Sequence, residues 1–289
     1  MNILNISKRT AFFCFILLFS MGAFAQSGKR IFKREPGIVS YTYRNYFSKD
    51  LPSTLDIIVK NGIKDIEFSS LFGKSATEIR KELDQRGLHC SSFGVSYDDF
   101  VNKTAEVAQN AKTLGAKYVR VAGIPHQGTF TLDNAQKAVA DFNRVGKTLK
   151  DQYDLNFIYH NHGFEFEPYQ DGTLYDYIVK NTDPKYVNFE LDILWAYFPG
   201  QDPAALLTKY GKRYKALHLK DLKNGVKGNM SGGTSQDNDV VLGTGQIDIP
   251  DVLAAAEKAG VEHYYIEDES SDALTQVPKS IDYLKNFRK

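Results

Sequence analysis

Four short apolar stretches in the second half of the chain, IYHNHGFEFE, NFELDILW, ALHLKDL and YYIEDES, end in side chains able to hold a divalent ion. Side chains alternate between the two faces of a strand. His160 and His162 therefore share a face, as do Glu190 and Asp192, His218 and Lys220, and Glu267 and Glu269. Glu165 follows the first stretch at its lip, past Gly163. Neutral imidazole suits borderline divalent metals and carboxylate suits harder ones. Carboxylates in an apolar strand are costly to bury unless paired or bound to a cation. Glu165, Asp192, His218 and Glu267 thus make a three-carboxylate, one-histidine set, suited to Mn2+, Mg2+, Co2+ or Zn2+ with positions left for substrate. Glu190 has the alternative of an ion pair with Arg120 or Lys220.

Such an ion, chelated by a ketone and its neighbouring hydroxyl, acidifies the adjacent C–H. The candidate bases that take this proton are His162, His160 and Glu267. Lys220 cannot ligate while protonated, but it can stabilise the resulting enediolate. Arg44, Arg120 and Trp195 stand at strand ends as candidate substrate contacts, Trp195 either stacking on a sugar face or packing a loop. Asp221 points away from Lys220 and is expected to begin a loop or cap. Returning the proton to the other carbon isomerises a sugar, returning it to the opposite face epimerises it, and expelling a β-substituent makes the enzyme a lyase or dehydratase.

Residues so far apart share one ion only if the fold gathers strand ends. Strand-like runs, rich in β-branched and aromatic residues, cover Gly37–Arg44, Ile63–Ser69, Leu88–Ser96, Ala116–Gly123, Asn156–His162, Tyr186–Leu194, Tyr214–Lys220 and His263–Glu267. Helical spacing fills the gaps at Leu51–Asn61, Ala76–Arg86, Val101–Leu114, Asp133–Asp151, Pro203–Tyr210, Pro250–Ala259 and Val277–Phe287. Eight strand-then-helix units imply parallel strands with right-handed crossovers, and eight favours a closed (β/α)8 TIM barrel, whose loops meet at the C-terminal mouth. An open doubly wound sheet would place a glycine-rich turn after the first strand, where this chain reads SYTYRNYFSKD. The irregular segment Asn224–Asp248 is expected to be an active-site loop, with the glycines of LGTGQ letting its backbone approach a ligand or simply turning.

The 289 residues suffice for one such barrel, predicted over residues 26–289. Lys8 and Arg9 precede an apolar run, Ala11–Phe24, and Ala23-Phe24-Ala25 reads as a small-x-small cleavage pattern. Residues 1–25 are therefore expected to be a secretory signal, making the mature protein periplasmic or secreted. The run is shorter than the ~20 residues of a membrane span, so no stable membrane anchor is expected after cleavage. Loss of Lys8 and Arg9 turns the formal charge from +1 to −1. Nucleic-acid binding, which calls for a basic stripe, is excluded on that ground. Cleavage also leaves Cys90 without a partner, a core thiol in LHCSSFGV.

YHNHGFEFEP, ELDILWAYFPGQDP, HLKDL, LGTGQIDIP, YYIEDES and the terminal SIDYLKNF together resemble the sugar phosphate isomerase/epimerase family of the xylose isomerase-like TIM barrel superfamily. The resemblance spans the chain after the leader. It implies a divalent metal held by Glu165, Asp192, His218 and Glu267 or close neighbours, and chemistry on small carbohydrate substrates. Many relatives carry a ligand glutamate on the fifth strand itself, where this chain has His160 or His162, so the first ligand stays open between Glu165 and those histidines. The endonuclease branch of the superfamily needs a basic DNA-binding face that this chain lacks. The reading is an isomerase or epimerase of an unphosphorylated sugar, since sugar phosphates are mainly intracellular. The alternatives are a keto-sugar lyase, hydratase or dehydratase acting on a glycoside, and a non-catalytic carbohydrate-binding protein.

Overall fold

The computed structural model describes residues 32–287, and the expected leader at 1–25 lies outside them. The barrel strands are β1 (Gly37–Val39), β2 (Asp65–Phe68), β3 (His89–Val95), β4 (Tyr118–Val121), β5 (Asn156–His160), β6 (Val187–Asp192), β7 (Tyr214–Leu219) and β8 (His263–Ile266). Each pairs in parallel with its neighbours, and β8 pairs with β1 to close the ring. This is the single (β/α)8 barrel that the alternation of elements predicts.

The outer layer comprises α1 (Leu51–Lys60), α2 (Ala76–Arg86), α3 (Thr104–Leu114), α4 (Leu132–Tyr153), α5 (Leu174–Asn181), α6 (Pro203–Tyr210), α7 (Ile249–Ala259) and α8 (Ala273–Asn286). Their starts are chemically marked. Ser75 with Glu78, Thr131 with Asn134 and Thr173 with Asp176 form reciprocal capping boxes, and Asp50, Asp202 and Asp248 accept from first-turn N–H groups. Gly87, Gly115 and Gly260 end three helices in the left-handed conformation.

Several boundaries differ from expectation. β1 stops at Val39 because Ser40–Tyr43 tightens into a 3-10 turn, and Arg44 starts a short helix. β5 stops at His160, leaving His162 in the loop. Val101–Leu114 breaks at Lys103, whose backbone is non-helical, into Tyr97–Asn102 and α3. α5 and the short helix Ile193–Tyr197 are additional, and α8 begins before Val277 and contains Pro278.

The barrel interior is layered. Val39, Tyr118, Ile158, Ala216 and Tyr265 form an apolar cluster separate from the main core between barrel and helices. Two residues further along, alternation brings Arg120, His160, His218 and Glu267 onto the same inward face, with Glu67 and Glu190 beside them. All six are buried. An apolar plug thus supports a charged layer at the C-terminal mouth, where barrels of this type place their chemistry.

Candidate metal centre

His160 lies opposite Glu190 in the β5–β6 register, with Nδ1 3.1 Å from Glu190 Oε2. Asp192 ends β6 and caps the helix Ile193–Tyr197, its Oδ1 accepting the Trp195 N–H at 2.9 Å. Its main chain is fastened twice by Asn161, which accepts the Asp192 N–H at 3.0 Å and donates to the Asp192 carbonyl at 3.2 Å. These bonds aim Oδ2 inward. It is buried without a hydrogen-bond partner, 3.9 Å from His160 Nε2 and 3.8 Å from His218 Nδ1. His218, opposite Asp192 on β7, meets Glu267 Oε2 at 2.7 Å through Nδ1. Its Nε2 lies 2.9 Å from Glu67 Oε1 and 3.1 Å from Glu190 Oε2. Lys220 Nζ is 2.6 Å from Glu269, 3.6 Å from Glu267 and 3.7 Å from Asp239, and 5.4 Å above the Trp195 ring.

Burial and charge divide these groups. Burial pushes the Asp192 carboxyl up to about 7 and Asp239 up to about 6. Burial acts the same way on Glu67 and Glu267, but Arg120 and His218 hold Glu67 down at about 2, and Lys220 and His218 hold Glu267 well below the carboxylate range. Glu190 is driven up by burial and by the charge of Glu67. Burial lowers His160 far below the imidazole range and His162 to about 4, so both rings are neutral near pH 7. Lys220 is held protonated despite burial by Asp239, Glu267, Asp192 and Glu269.

His160, Asp192 and His218 therefore meet in one place, with Glu267 against His218, but Glu165 does not join them. Gly163, at φ +113°, turns the chain into a 3-10 turn at Phe164–Phe166 that folds Glu165 back. The fully buried Glu165 carboxylate accepts from His162 N–H at 3.0 Å, Gly163 N–H at 2.8 Å and the Tyr159 hydroxyl. The expectation of Glu165 as a ligand is corrected, because its oxygens are committed to the loop. Arg44 is also displaced. It sits on the outer helix with its guanidinium 4.2 Å from the Tyr41 ring centre and 4.0 Å from Glu269, outside the cavity lining. Arg120 lines the cavity, but its guanidinium is ion-paired with Glu67 at 2.9 Å and lies 3.7 Å from Glu190. None of the LGTGQ residues lines the cavity. Gly243, Gly245 and Ile247 N–H groups converge on the buried Asp221 carboxylate, at 2.9, 2.8 and 3.2 Å.

Three residues enter that the sequence reading passed over: Glu67, Asn161 and Asp239. Glu67 carried a usable signal, a lone carboxylate inside the apolar run DIEF at a strand end. Asn161 had none, since its role depends on the facing strand. Asp239 comes from the β7–α7 loop, expected at the site, which lines the cavity with Gly232, Thr234 and Gln236.

Above the charged layer lies a cavity of about 620 Å3, walled by Tyr41, Arg120, His162, Trp195, Asp239 and Glu267 among others. His162 Nδ1 is buried and unpartnered beside it, and its ring stacks on Trp195 at 6.0 Å and 25°. The donor set fits a divalent ion. His160, Asp192 and His218 offer ligand atoms within 4.8 Å of one another, Asp192 Oδ2 is an orphaned acceptor, and an ion would replace the His218–Glu267 hydrogen bond. A second group, Glu67, Glu190 and His218, is equally compact, but Arg120 already places a permanent cation against it.

Comparison with known proteins agrees with this fold. A family model described as xylose isomerase-like TIM barrel matches residues 55–287. An inosose dehydratase of Clostridium beijerinckii is 24% identical over 255 residues, covering 79% of this chain and 84% of its own. A sugar phosphate isomerase/epimerase of Parabacteroides distasonis superposes with a TM-score of 0.69 at 26% identity, over 91% of this chain and 96% of that one. The IolI protein, solved with a zinc atom, gives a TM-score of 0.68 at 15% identity over 87% and 95% of the two chains, a likeness of fold.

Proposed function

Since the chain belongs to the xylose isomerase-like TIM barrel family, we propose that it is a divalent-metal-dependent enzyme that removes the proton beside the carbonyl of an unphosphorylated keto-sugar or related cyclic ketone and then expels a β-substituent. The observation that carries this reading is the convergence of His160, Asp192 and His218, with Glu267 against His218 and Asp192 Oδ2 orphaned, beneath a cavity walled by the unpartnered nitrogen of His162. His160, Asp192, His218 and Glu267 would hold the ion, a two-imidazole, two-carboxylate set that suits Zn2+, Co2+ or Mn2+ better than Mg2+. When bound, the ion supplies Lewis-acid polarisation of the substrate carbonyl and fixes its orientation.

His162 is placed to accept the C–H proton, its ring fixed by stacking on Trp195. As imidazolium it can hand that same proton to a departing hydroxyl or alkoxide on the same face, so a syn elimination balances with one base. The wall across the cavity is already engaged, because Glu267 and Glu269 are bound to Lys220. Lys220 holds Glu267 ionised and faces Trp195. Arg120, the one Lys or Arg among the described lining residues, is paired with Glu67. A phosphate would find no unpaired cation there and would meet Asp239, Glu267 and Glu269, which supports an unphosphorylated substrate.

A second reading, sugar isomerisation, is favoured by the likeness to the Parabacteroides distasonis protein and needs only that His162 return its proton to the neighbouring carbon. The metal-loaded protein in D2O with a panel of keto-sugars, keto-glycosides and inososes separates the readings. Loss of water or of the aglycone supports elimination, and deuterium in a product of unchanged composition supports isomerisation. Binding of sugar by EDTA-treated protein with neither reaction across the panel would leave a carbohydrate-binding protein and sink the proposal.

A further inference from the structure

We propose that Glu190 is a positioning residue that sets the tautomer of His160 at the metal site, a role that rests on the ligand assignment above. One oxygen of Glu190, Oε2, lies 3.1 Å from His160 Nδ1 and 3.1 Å from His218 Nε2. These are the nitrogens turned away from Asp192 Oδ2, which faces His160 Nε2 and His218 Nδ1. An imidazole that ligates through one nitrogen must carry its proton on the other, and the acceptor of that proton fixes the ring's orientation and raises its basicity. The hydrogen bond between His160 Nδ1 and Glu190 Oε2 therefore dictates the choice at His160. The His218 ring lies 4.6 Å away at 63°.

The arrangement is asymmetric. His218 Nε2 has its hydrogen-bond acceptor in Glu67 Oε1 at 2.9 Å, whereas His160 Nδ1 meets Glu190 alone. Arg120, against Glu67 and Glu190, offsets charge on the side away from the ion. Glu190 therefore acts from behind the imidazoles, and His160 is the ring that depends on it most.

The test measures Zn2+ affinity of the metal-stripped protein by competition with a chromogenic chelator, alongside 15N NMR of histidine-labelled, Zn2+-loaded protein. Wild type should bind one ion with the proton on His160 Nδ1 and on His218 Nε2. Glu190→Gln, whose neutral amide is a weaker acceptor and can turn its NH2 toward the ring, should weaken binding by about 10–100-fold at unchanged stoichiometry, with the His160 tautomer no longer held. Glu67→Gln should have the smaller effect and leave His160 unmoved. If Glu190→Gln does not fold, Glu190→Asp, which keeps a carboxyl but shortens the reach, carries the same expectation. Unchanged affinity and unchanged His160 tautomer in a folded Glu190 variant would overturn the proposal. Loss of all binding in Glu190→Gln and Glu67→Gln but not in Asp192→Asn would put the ion among Glu67, Glu190 and His218 and overturn it too. Failure of wild type to bind would defeat the metal reading itself.

Discussion

Two fully buried carboxylates, Glu165 and Asp192, look alike in the sequence, each acidic and each just beyond an apolar run. Their surroundings separate them. Glu165 accepts two backbone N–H bonds and a hydroxyl, while Asp192 spends one oxygen on the Trp195 N–H and leaves the other without a partner. Spacing could not show this, because the reversal depends on the backbone at Gly163. Glu165→Gln removes a charge that holds a loop, and hydrogen bonds to charged groups contribute roughly 1.5–3 kcal/mol each. It should lower stability by about 2 kcal/mol in urea unfolding while leaving metal content at the wild-type level. A Glu165 variant that folds normally but loses its ion would restore Glu165 as a ligand.

Among the elements, the strand ends were the legible part. All eight strands lie within the predicted runs, because buried parallel strands are short apolar segments with clear stops. The helices missed, α5 and Ile193–Tyr197, are five to eight residues long and too short for periodicity to register. The extent of β1 was misjudged for a related reason, since aromatic residues in SYTYRNYF mimic strand composition while forming a turn and a helix. Packing also reverses a local rule in α4. Replacing a mid-helix glycine by alanine ordinarily stabilises a helix by about 1 kcal/mol, but a Cβ at Gly146 would stand 2.6 Å from the Tyr186 carbonyl oxygen. Gly146→Ala should therefore destabilise the protein by about 1–3 kcal/mol, read as a lowered urea midpoint.

At the start of α5, Asp176 accepts from Thr173 N–H and Lys209 at 2.9 and 2.7 Å and from the Tyr210 hydroxyl. Burial opposes its charge, but these bonds hold its carboxyl below its ordinary value. A depressed carboxyl stabilises the fold above the unfolded-state value of about 3.9, and that contribution is lost as pH falls through the lower folded value. Asp176→Asn should accordingly cost about 1–3 kcal/mol at pH 7, with the gap to wild type closing below pH 4 in paired urea titrations. A gap that persists at low pH would contradict the charge argument.

For the whole molecule, barrel closure converts four distant stretches into one site, and eight alternating units were enough to foresee that closure. The polar interior was less legible, because Glu67 and Arg120 reveal their roles only when β2 and β4 are seen across the ring from β7. Among the described residues no helix is long and apolar enough to cross a membrane. Export with cleavage near Ala25 is an expectation from the leader pattern, and the mass of the mature protein isolated from its producing cell tests it. A ligand that binds only the folded state stabilises it by about 2.7 kcal/mol at a hundredfold excess over its Kd. Zn2+ or Mn2+ at that excess should raise the unfolding midpoint of the stripped protein, and EDTA should reverse the gain.

The most direct measurement is elemental analysis of the purified protein beside Asp192→Ala and His218→Ala. The account predicts about one divalent ion per wild-type chain and its loss from both folded variants. The same metal content in all three proteins would contradict it.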